Sequence, residues 1–446
     1  MAWSQVSAHR WERPGDGLEN YFALIASLSA AACNGRRHYT IFTKLQLELD
    51  IPVTEVEASL KKAWTQLRYE QPQIATVHNG TTKVYEVPDE TALQAWVTST
   101  VITSAAANAE DLYATITPIA QATLYYLPAS SQLVLRTPHE TIDGIGVIRL
   151  LDRLLSILVS PPTENITFGD EPSRLAPTLR EILGVAEQPT PEELERVMAL
   201  YKPYMDYAPG IGPVSNLGNR PAGQSQHARL DIPTRTTEAI IQACKAKGIT
   251  VTSAVHAAYI QTIKKHADPD HPSCHYVNTA QFNLRPYLPK HGAQYTASLG
   301  YTLFPVHLES PNSFDQTAQA LNRFYRTTFA NDPSKLPLVP HMTDILFAVT
   351  QSPEYQKGPV PRDAIPSSLG IIEKYMQRSY GTNRLIIRDF MLGVDVVMGM
   401  NMLLMSTFRD QLQLVYSFND AYHEPEHIMQ YLQGIVEVLT EELLAN

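Results

Sequence analysis

The sequence predicts an α/β protein with two domains. Segments in which polar and apolar residues alternate, as in half-buried strands, are interspersed with segments whose apolar residues recur at helical spacing. The chain has 446 residues, of which 44% are hydrophobic, and above about 250 to 300 residues one core usually becomes two. Residues 208–225 are rich in glycine, proline and small polar residues, which is typical of a connection. We therefore expect an N-terminal domain of residues 1–207, a linker of residues 208–225 and a C-terminal domain of residues 226–446.

The N-terminal half begins with a predicted helix, strand and second helix. Residues 18–32 carry apolar side chains at helical spacing, and residues 38–49 alternate as a strand does. Thr54 and Glu57 have the spacing of a capping box, which predicts a helix from there to Glu70. The next segments predict two hairpin strands, a helix and a further strand, at residues 74–78, 82–87, 92–101 and 120–127.

The most informative stretch is residues 131–159, which predicts a strand, a short loop and a helix. Thr137-Pro138 ends the strand, because proline restricts its own φ and the residue before it. From Asp143 onward apolar residues recur at helical spacing, and Asp143 is placed to cap the first turn. His139 therefore lies on a constrained loop, and fixed geometry is what a general base requires. The alternative is that His139 is an ordinary loop histidine and Asp143 only a helix cap.

The C-terminal half continues the mixture of strands and helices. Thr190-Pro191 marks a helix start before the linker, Gly248 marks a helix end, and Pro425 marks the start of a final helix. The predicted strands are residues 228–232, 276–284, 301–308, 367–372, 384–390, 402–408 and 412–418. The predicted helices are residues 237–247, 252–265, 313–330 and 425–444.

The loop sequence His139-Glu140-Thr141-Ile142-Asp143-Gly144 is similar to the His-x-x-x-Asp-Gly signature of the chloramphenicol acetyltransferase-like superfamily. That superfamily includes plant BAHD acyltransferases, peptide-synthetase condensation domains and fungal trichothecene O-acetyltransferases. The resemblance covers nearly the whole chain and is greatest to the group around trichothecene 15-O-acetyltransferase. It implies two α/β sandwich domains with a central tunnel. Three further stretches resemble the superfamily, namely the early helix followed by a strand, residues 248–252 and residues 283–289.

The resemblance also implies a mechanism and a role for each site residue. His139 is expected to be the general base in the transfer of an acyl group from acyl-CoA to a hydroxyl. No acyl-enzyme is expected to form. Asp143 and Gly144 are expected to support the loop, and Arg285 to pair with Asp143, a task that suits a planar guanidinium. We expect no permanently bound cofactor. Acetyl-CoA or another acyl-CoA would be the co-substrate, and a hydroxylated terpenoid or polyketide the acceptor.

Other features of the sequence bear on the substrate. Ser367 and Ser368 lie on a predicted strand and are candidates to stabilise the oxyanion or contact the substrate. Residues 389–393 match the plant motif Asp-Phe-Gly-Trp-Gly only in part, which puts plant-like substrates in doubt. Condensation domains carry a second histidine where this chain has Pro138, which favours CoA as the acyl carrier. The alternatives are a CoA-independent condensation- or cyclisation-type enzyme that uses His139, and a non-catalytic small-molecule binding protein.

Composition argues against several other classes of protein. A net charge of −10 is unlike that of a nucleic-acid binder. Three widely spaced cysteines imply no disulfide framework and favour a reducing compartment. The N-terminus lacks the pattern of a signal peptide, and no apolar run reaches about 18 residues. We therefore expect a cytoplasmic monomer without a membrane span.

Two histidine-rich stretches of the sequence are candidate metal sites. Residues 423–427 fit the His-Glu-x-x-His pattern of zinc proteases, but Pro425 is incompatible with a helix that carries both histidines on one face. A second set lies in a predicted surface loop without matching ligand spacing, and comprises His266, His271, Cys274 and His275. We therefore predict no metal site.

Overall fold

The computed structural model describes residues 2–163, 166–311, 313–358 and 360–445. Its helices are α1 (Gly17–Ala32), α2 (Val53–Glu70), α3 (Glu90–Thr100), α4 (Ala109–Thr115), α5 (Gly144–Val159), α6 (Leu179–Leu183), α7 (Pro191–Tyr207), α8 (Thr234–Ala246), α9 (Val251–Lys265), α10 (Lys290–Ala293), α11 (Phe314–Thr327), α12 (Val339–Thr350), α13 (Pro353–Lys357) and α14 (Pro425–Leu444). No helix in these ranges combines the length and the apolar character needed to cross a membrane.

The strands complete the α/β class that the sequence predicts. They are β1 (Ser4–Ser7), β2 (Arg10–Pro14), β3 (Ile41–Leu49), β4 (Val77–Asn79), β5 (Thr82–Glu86), β6 (Val101–Thr103), β7 (Thr123–Leu127), β8 (Gln132–Thr137), β9 (Ser225–Asp231), β10 (His275–Asn283), β11 (Tyr301–Glu309), β12 (Ala364–Ile371), β13 (Ser379–Tyr380), β14 (Leu385–Val394), β15 (Asn401–Phe408) and β16 (Gln411–Asn419).

The chain forms two compact units that are not consecutive in sequence. The first unit comprises Met1–Val185, Leu288–Gly300 and Ile372–Val394, and the second comprises Ala186–Tyr287, Tyr301–Ile371 and Asp395–Asn446. This division differs from the predicted boundaries at residues 207 and 226. The physical reason is strand pairing, because β14, late in the chain, hydrogen-bonds to β3. Periodicity within a segment does not reveal which strand it pairs with.

The first unit is built on a six-stranded sheet of order β13-β14-β3-β8-β7-β6. β8 pairs antiparallel with β3 on one side and with β7 on the other. All residues of β8 are buried, so it is an interior strand of the sheet. Backbone hydrogen bonds on both edges hold its end in place, and the His139 loop starts there.

Local details in the first unit correct three expectations. α2 has Pro52 as its N-cap and no side-chain cap hydrogen bond, so the predicted capping box at Thr54 does not form; a proline with fixed φ already directs the chain into the helix. The predicted strand at residues 74–78 is instead a 3₁₀ turn, Pro72–Ala75, followed by β4. β3 starts at Ile41 rather than residue 38, because Tyr39 has a left-handed φ of 61°, which a strand cannot accommodate.

The second unit has a four-stranded sheet of order β12-β15-β16-β9 and a separate pair, β10-β11. Its core includes apolar residues of α8, α9, α14 and this larger sheet. One buried carboxyl interrupts the apolar surroundings, just before β12. Asp363 is 1% exposed, and its Oδ2 accepts a hydrogen bond of 2.7 Å from Asn278 Nδ2. Burial raises the pKa of Asp363 to about 8, so this carboxyl keeps its proton at neutral pH.

We expect Asp363 to make the protein less stable as the pH rises. The folded state holds this proton up to about pH 8, whereas the ordinary pKa is 3.8. The contribution of protonated Asp363 to the free energy of unfolding is therefore fully present below pH 3.8, and it is lost as the pH rises through 8. Urea midpoints measured between pH 4 and pH 9 should fall less steeply in Asp363→Asn than in the unmodified protein. The exposed Asp270→Asn variant is the control, and equal slopes in both variants would contradict the prediction.

Candidate active site

The His139 loop, residues 138–143, connects β8 to α5 and is fixed at both ends. Thr141 N donates to the Pro138 carbonyl at 3.0 Å. Asp143 caps α5, since its Oδ1 accepts a hydrogen bond of 2.7 Å from Gly146 N. Its second oxygen accepts one of 2.7 Å from Gly300 N. The Asp143 carboxylate therefore joins the loop both to α5 and to the segment Leu288–Gly300 of the same unit.

His139 itself lies between aromatic rings. Its imidazole is stacked on Phe22, with ring centroids 4.1 Å apart and planes 2° from parallel. The ring of Tyr39 is edge-on to it, at 6.4 Å and 69°. Burial lowers the pKa of His139 to about 4, although a hydrogen bond to its own backbone and the charge of Asp143 act in the opposite direction. The imidazole is therefore neutral at pH 7, the protonation state in which it can accept a proton.

The residue after His139 is tied to a buried cluster of charges. Lys83 Nζ donates to the Glu140 carbonyl at 3.3 Å and to Glu19 Oε1 at 2.6 Å. Arg13 makes two parallel hydrogen bonds to Glu19, of 2.7 and 2.8 Å. Burial raises the pKa of Glu19, but the charges of Arg13 and Lys83 outweigh it and hold that pKa well below its usual range. The Glu140 carboxylate forms an ion pair with Arg37.

The sequence indicated only part of these surroundings. Phe22 belongs to the apolar face of a predicted helix, but periodicity does not show which partner that face meets. Lys83 lies in a predicted hairpin strand, where a lysine is usually exposed, yet it is 2% exposed. No pattern in the sequence marked either residue as a neighbour of His139.

The second unit holds the other predicted site residues. Arg285 is 8% exposed and begins the 3₁₀ turn Arg285–Tyr287 directly after β10. Ser367, on β12, donates to Gln281 Oε1 at 2.7 Å, which commits its single hydroxyl proton. Ser368 is exposed and shares a 2.9 Å hydrogen bond with Thr252 Oγ1. The pairing of Arg285 with Asp143 and the oxyanion role of the serines stay predictions.

The histidine-rich stretches lie in different surroundings from one another. His423 precedes α14, and its Nε2 is 2.9 Å from Asn401 Nδ2, whereas His427 lies in the first turn of the helix. His275 is in strand β10 rather than in the predicted loop, because it pairs with Glu309 of β11. Among the described residues, no group of three or more His, Cys, Asp or Glu side chains is arranged to hold a metal ion.

Known proteins match both the fold and the sequence of this chain. A solved structure of TRI3 trichothecene 15-O-acetyltransferase from Fusarium sporotrichioides superposes with a TM-score of 0.84 at 16% identity, covering 99% of this chain and 98% of that one. O-acetyltransferase pigM of Monascus ruber is 30% identical over 456 residues, covering 99% of this chain and 87% of the relative. The chain belongs to the chloramphenicol acetyltransferase-like acetyltransferases. Acetyltransferase pigO of the same fungus is 26% identical and covers 99% of this chain and 98% of the relative. No family model matches the chain.

These matches confirm the resemblance indicated by the loop sequence and establish the protein as an O-acetyltransferase. His139 combines a fixed loop, burial and a neutral imidazole, and for this reason we take it as the candidate catalytic residue.

Replacing Asp143, and comparing the result with the loss of another helix cap, should show whether Asp143 supports the His139 loop or only stabilises the fold. In Asp143→Ala the amides of Gly146 and Gly300 lose their acceptor, and loss of an N-cap alone costs about 0.5 to 2 kcal/mol. We expect a lower melting temperature together with reduced acetyl transfer, because the His139 loop is released. Asp89 caps α3 through Ala92 N in the same unit, so Asp89→Ala is the matched control. Equal acetyl transfer by the two variants would show that Asp143 does not support the site.

Proposed function

We propose that this acetyltransferase uses acyl-CoA as the donor and acylates a hydroxyl of a secondary metabolite, with His139 as general base. The observation that carries the proposal is the buried, neutral imidazole on a loop fixed at both ends, in a chain whose relatives are O-acetyltransferases. A general base must present an unprotonated nitrogen in a fixed position. His139 meets both requirements above about pH 4.

The proposed reaction needs no covalent intermediate with the protein. The acceptor hydroxyl donates a hydrogen bond to His139 and attacks the thioester carbonyl, while its proton passes to the imidazole. The tetrahedral adduct then collapses, the bond from carbon to sulfur breaks, and the imidazolium returns the proton to the CoA thiolate. The products are the ester and free CoA, and His139 ends in its starting state. Two bound substrates held in this arrangement gain the rate advantage of proximity.

Asp143 has a supporting role in this mechanism. Both of its carboxylate oxygens accept backbone hydrogen bonds, which hold the carboxylate in a fixed position. Its negative charge favours the imidazolium electrostatically, which lowers the cost of the protonated state of His139 during the reaction. Asp143 thus fixes the loop and stabilises a transient charge without taking the proton itself.

The proposed acceptor is a hydroxylated terpenoid or polyketide. TRI3 is named as a trichothecene 15-O-acetyltransferase, and pigM and pigO are named as an O-acetyltransferase and an acetyltransferase. We propose acetyl as the acyl group on the same basis. We further propose that the enzyme acts in the cytoplasm as a monomer and binds no permanent cofactor.

Replacement of His139 by alanine should abolish most of the activity. General base catalysis contributes about 100- to 10,000-fold, so kcat/KM should fall by that factor, which corresponds to about 3 to 5 kcal/mol of barrier. The measurement is CoA release from acetyl-CoA, followed with a thiol reagent, in the presence of a panel of hydroxylated terpenoids and polyketides. His427→Ala, an exposed histidine, is the control.

The same assay separates the alternatives. Release of CoA that requires both an acceptor and His139 supports the proposal. Conversion of an acceptor without CoA would instead indicate a condensation- or cyclisation-type enzyme. Binding of panel members without any turnover would indicate a non-catalytic binding protein.

With saturating acyl donor, the pH dependence of kcat/KM for the acceptor should report the pKa of His139 before the acceptor binds. Its pKa, lowered by burial to about 4, means that the base is already unprotonated at pH 5. We expect the acidic limb of the profile to lie near pH 4, below the usual histidine value of 6.5. An acidic limb at 6.5 in assays with saturating acyl donor would contradict this assignment.

A further inference from the structure

The contact between Phe22 and His139 is closer and flatter than ordinary packing requires. The two rings are nearly parallel, 2° apart, with centroids at 4.1 Å. Phe22 is 4% exposed and His139 is 9% exposed. A second ring, Tyr39, meets the imidazole edge-on. One face of the imidazole is therefore covered by Phe22, and rotation of the imidazole out of this plane would drive it into the phenyl ring.

The helix that carries Phe22 is also connected to the His139 loop. Glu19 lies three residues before Phe22 on α1, which places the two side chains on neighbouring positions of the helix surface. Glu19 is held by Arg13 and by Lys83, and Lys83 also donates to the Glu140 carbonyl. Any movement of α1 relative to the loop would thus disturb both the ring contact and the buried ion pairs.

Two effects of Phe22 on the imidazole oppose each other. A phenyl face attracts a cation, which favours imidazolium, but the same face excludes water and so removes the hydration that imidazolium needs. Burial is the largest cause of the lowered pKa of His139, about 4, and Phe22 is one of the rings that bury this imidazole. Covering this ring face therefore favours the neutral base.

We propose that Phe22 is a positioning residue for His139, which fixes the plane of the imidazole and shields one of its faces from water. This inference rests on the proposed function of His139. It assigns to α1 a part in the reaction that the loop sequence alone does not indicate. A planar side chain at position 22 is then needed for activity, whereas apolar bulk alone is not sufficient.

The test compares variants that keep or remove the planar ring. Phe22→Leu keeps much of the apolar volume without a flat face, and Phe22→Met does the same with a flexible side chain if the leucine variant does not fold. Phe22→Tyr keeps the ring. Phe314→Leu is the matched control, because Phe314 is a helix residue of the second unit and is 3% exposed. Circular dichroism melts establish that each variant is folded.

We expect Phe22→Leu to lower kcat by about 10- to 100-fold with little change in KM, as a misplaced catalytic group does. The acidic limb of kcat/KM should move from about 4 toward the ordinary histidine value of 6.5, since water regains access to the ring. Phe22→Tyr should keep kcat and the acidic limb close to those of the unmodified protein, and Phe314→Leu should change neither. An unchanged kcat and acidic limb in folded Phe22→Leu, or equal changes in Phe314→Leu, would overturn the inference.

A measurement that does not need turnover distinguishes this inference from the proposed function. The imidazole pKa of His139 is read by NMR of histidine-labelled protein, and its signal among the 14 histidines is identified by its loss in His139→Gln. An upward shift of this pKa in Phe22→Leu supports the role of Phe22 whether or not acetyl-CoA is consumed. The absence of a shift overturns it, even if the His139→Ala assay supports the general base.

Discussion

The arrangement of the candidate site depends on the two backbone hydrogen bonds accepted by Asp143. One joins the His139 loop to the first turn of α5, and the other joins it to Gly300, more than a hundred residues later in the chain. Hydrogen bonds to a charged acceptor are stronger than those between neutral groups, and this carboxylate is buried, at 4% exposure. Moving the loop would remove two hydrogen bonds from a buried charge and leave the amides of Gly146 and Gly300 without this acceptor, which is costly. The orientation of His139 follows from this constraint.

The charged cluster beneath the loop constrains it in a second way. Arg13, Glu19 and Lys83 are all buried, and taking such charges out of water costs more than their attraction often returns. Here the cost is limited because the guanidinium is bidentate and Lys83 has two acceptors. A cluster of this kind adds little net stability, but it tolerates few alternative arrangements. We infer that this cluster fixes the position of α1 relative to the loop, because Lys83 contacts both Glu19 of α1 and the Glu140 carbonyl.

The sequence predicted the elements of the site better than their assembly. The strand, the loop and the Asp143-capped helix α5 follow from proline, aspartate and helical periodicity, all of which act within a few residues. The pairing of β14 with β3 and the hydrogen bond from Gly300 join residues far apart in sequence, and local patterns carry no information about such partners. The same limit explains why the sequence assigns Phe22 to an apolar helix face but does not indicate its contact with His139. It also explains why the boundaries of the two units differ from the predicted domain boundaries.

A buried histidine is a weak base, and this has a consequence for the order of events. In the reaction that we propose, the alcohol is a far weaker acid than an imidazolium whose pKa is about 4, so His139 would not remove the hydroxyl proton before the alcohol reacts. The proton becomes acidic only as the new bond to the thioester carbonyl forms, so transfer to His139 must accompany that bond. The charge of Asp143, which favours imidazolium, then acts mainly late in this step. The position of the imidazole is therefore decisive in the proposed reaction, because a general base must lie within hydrogen-bond reach of the proton that it accepts.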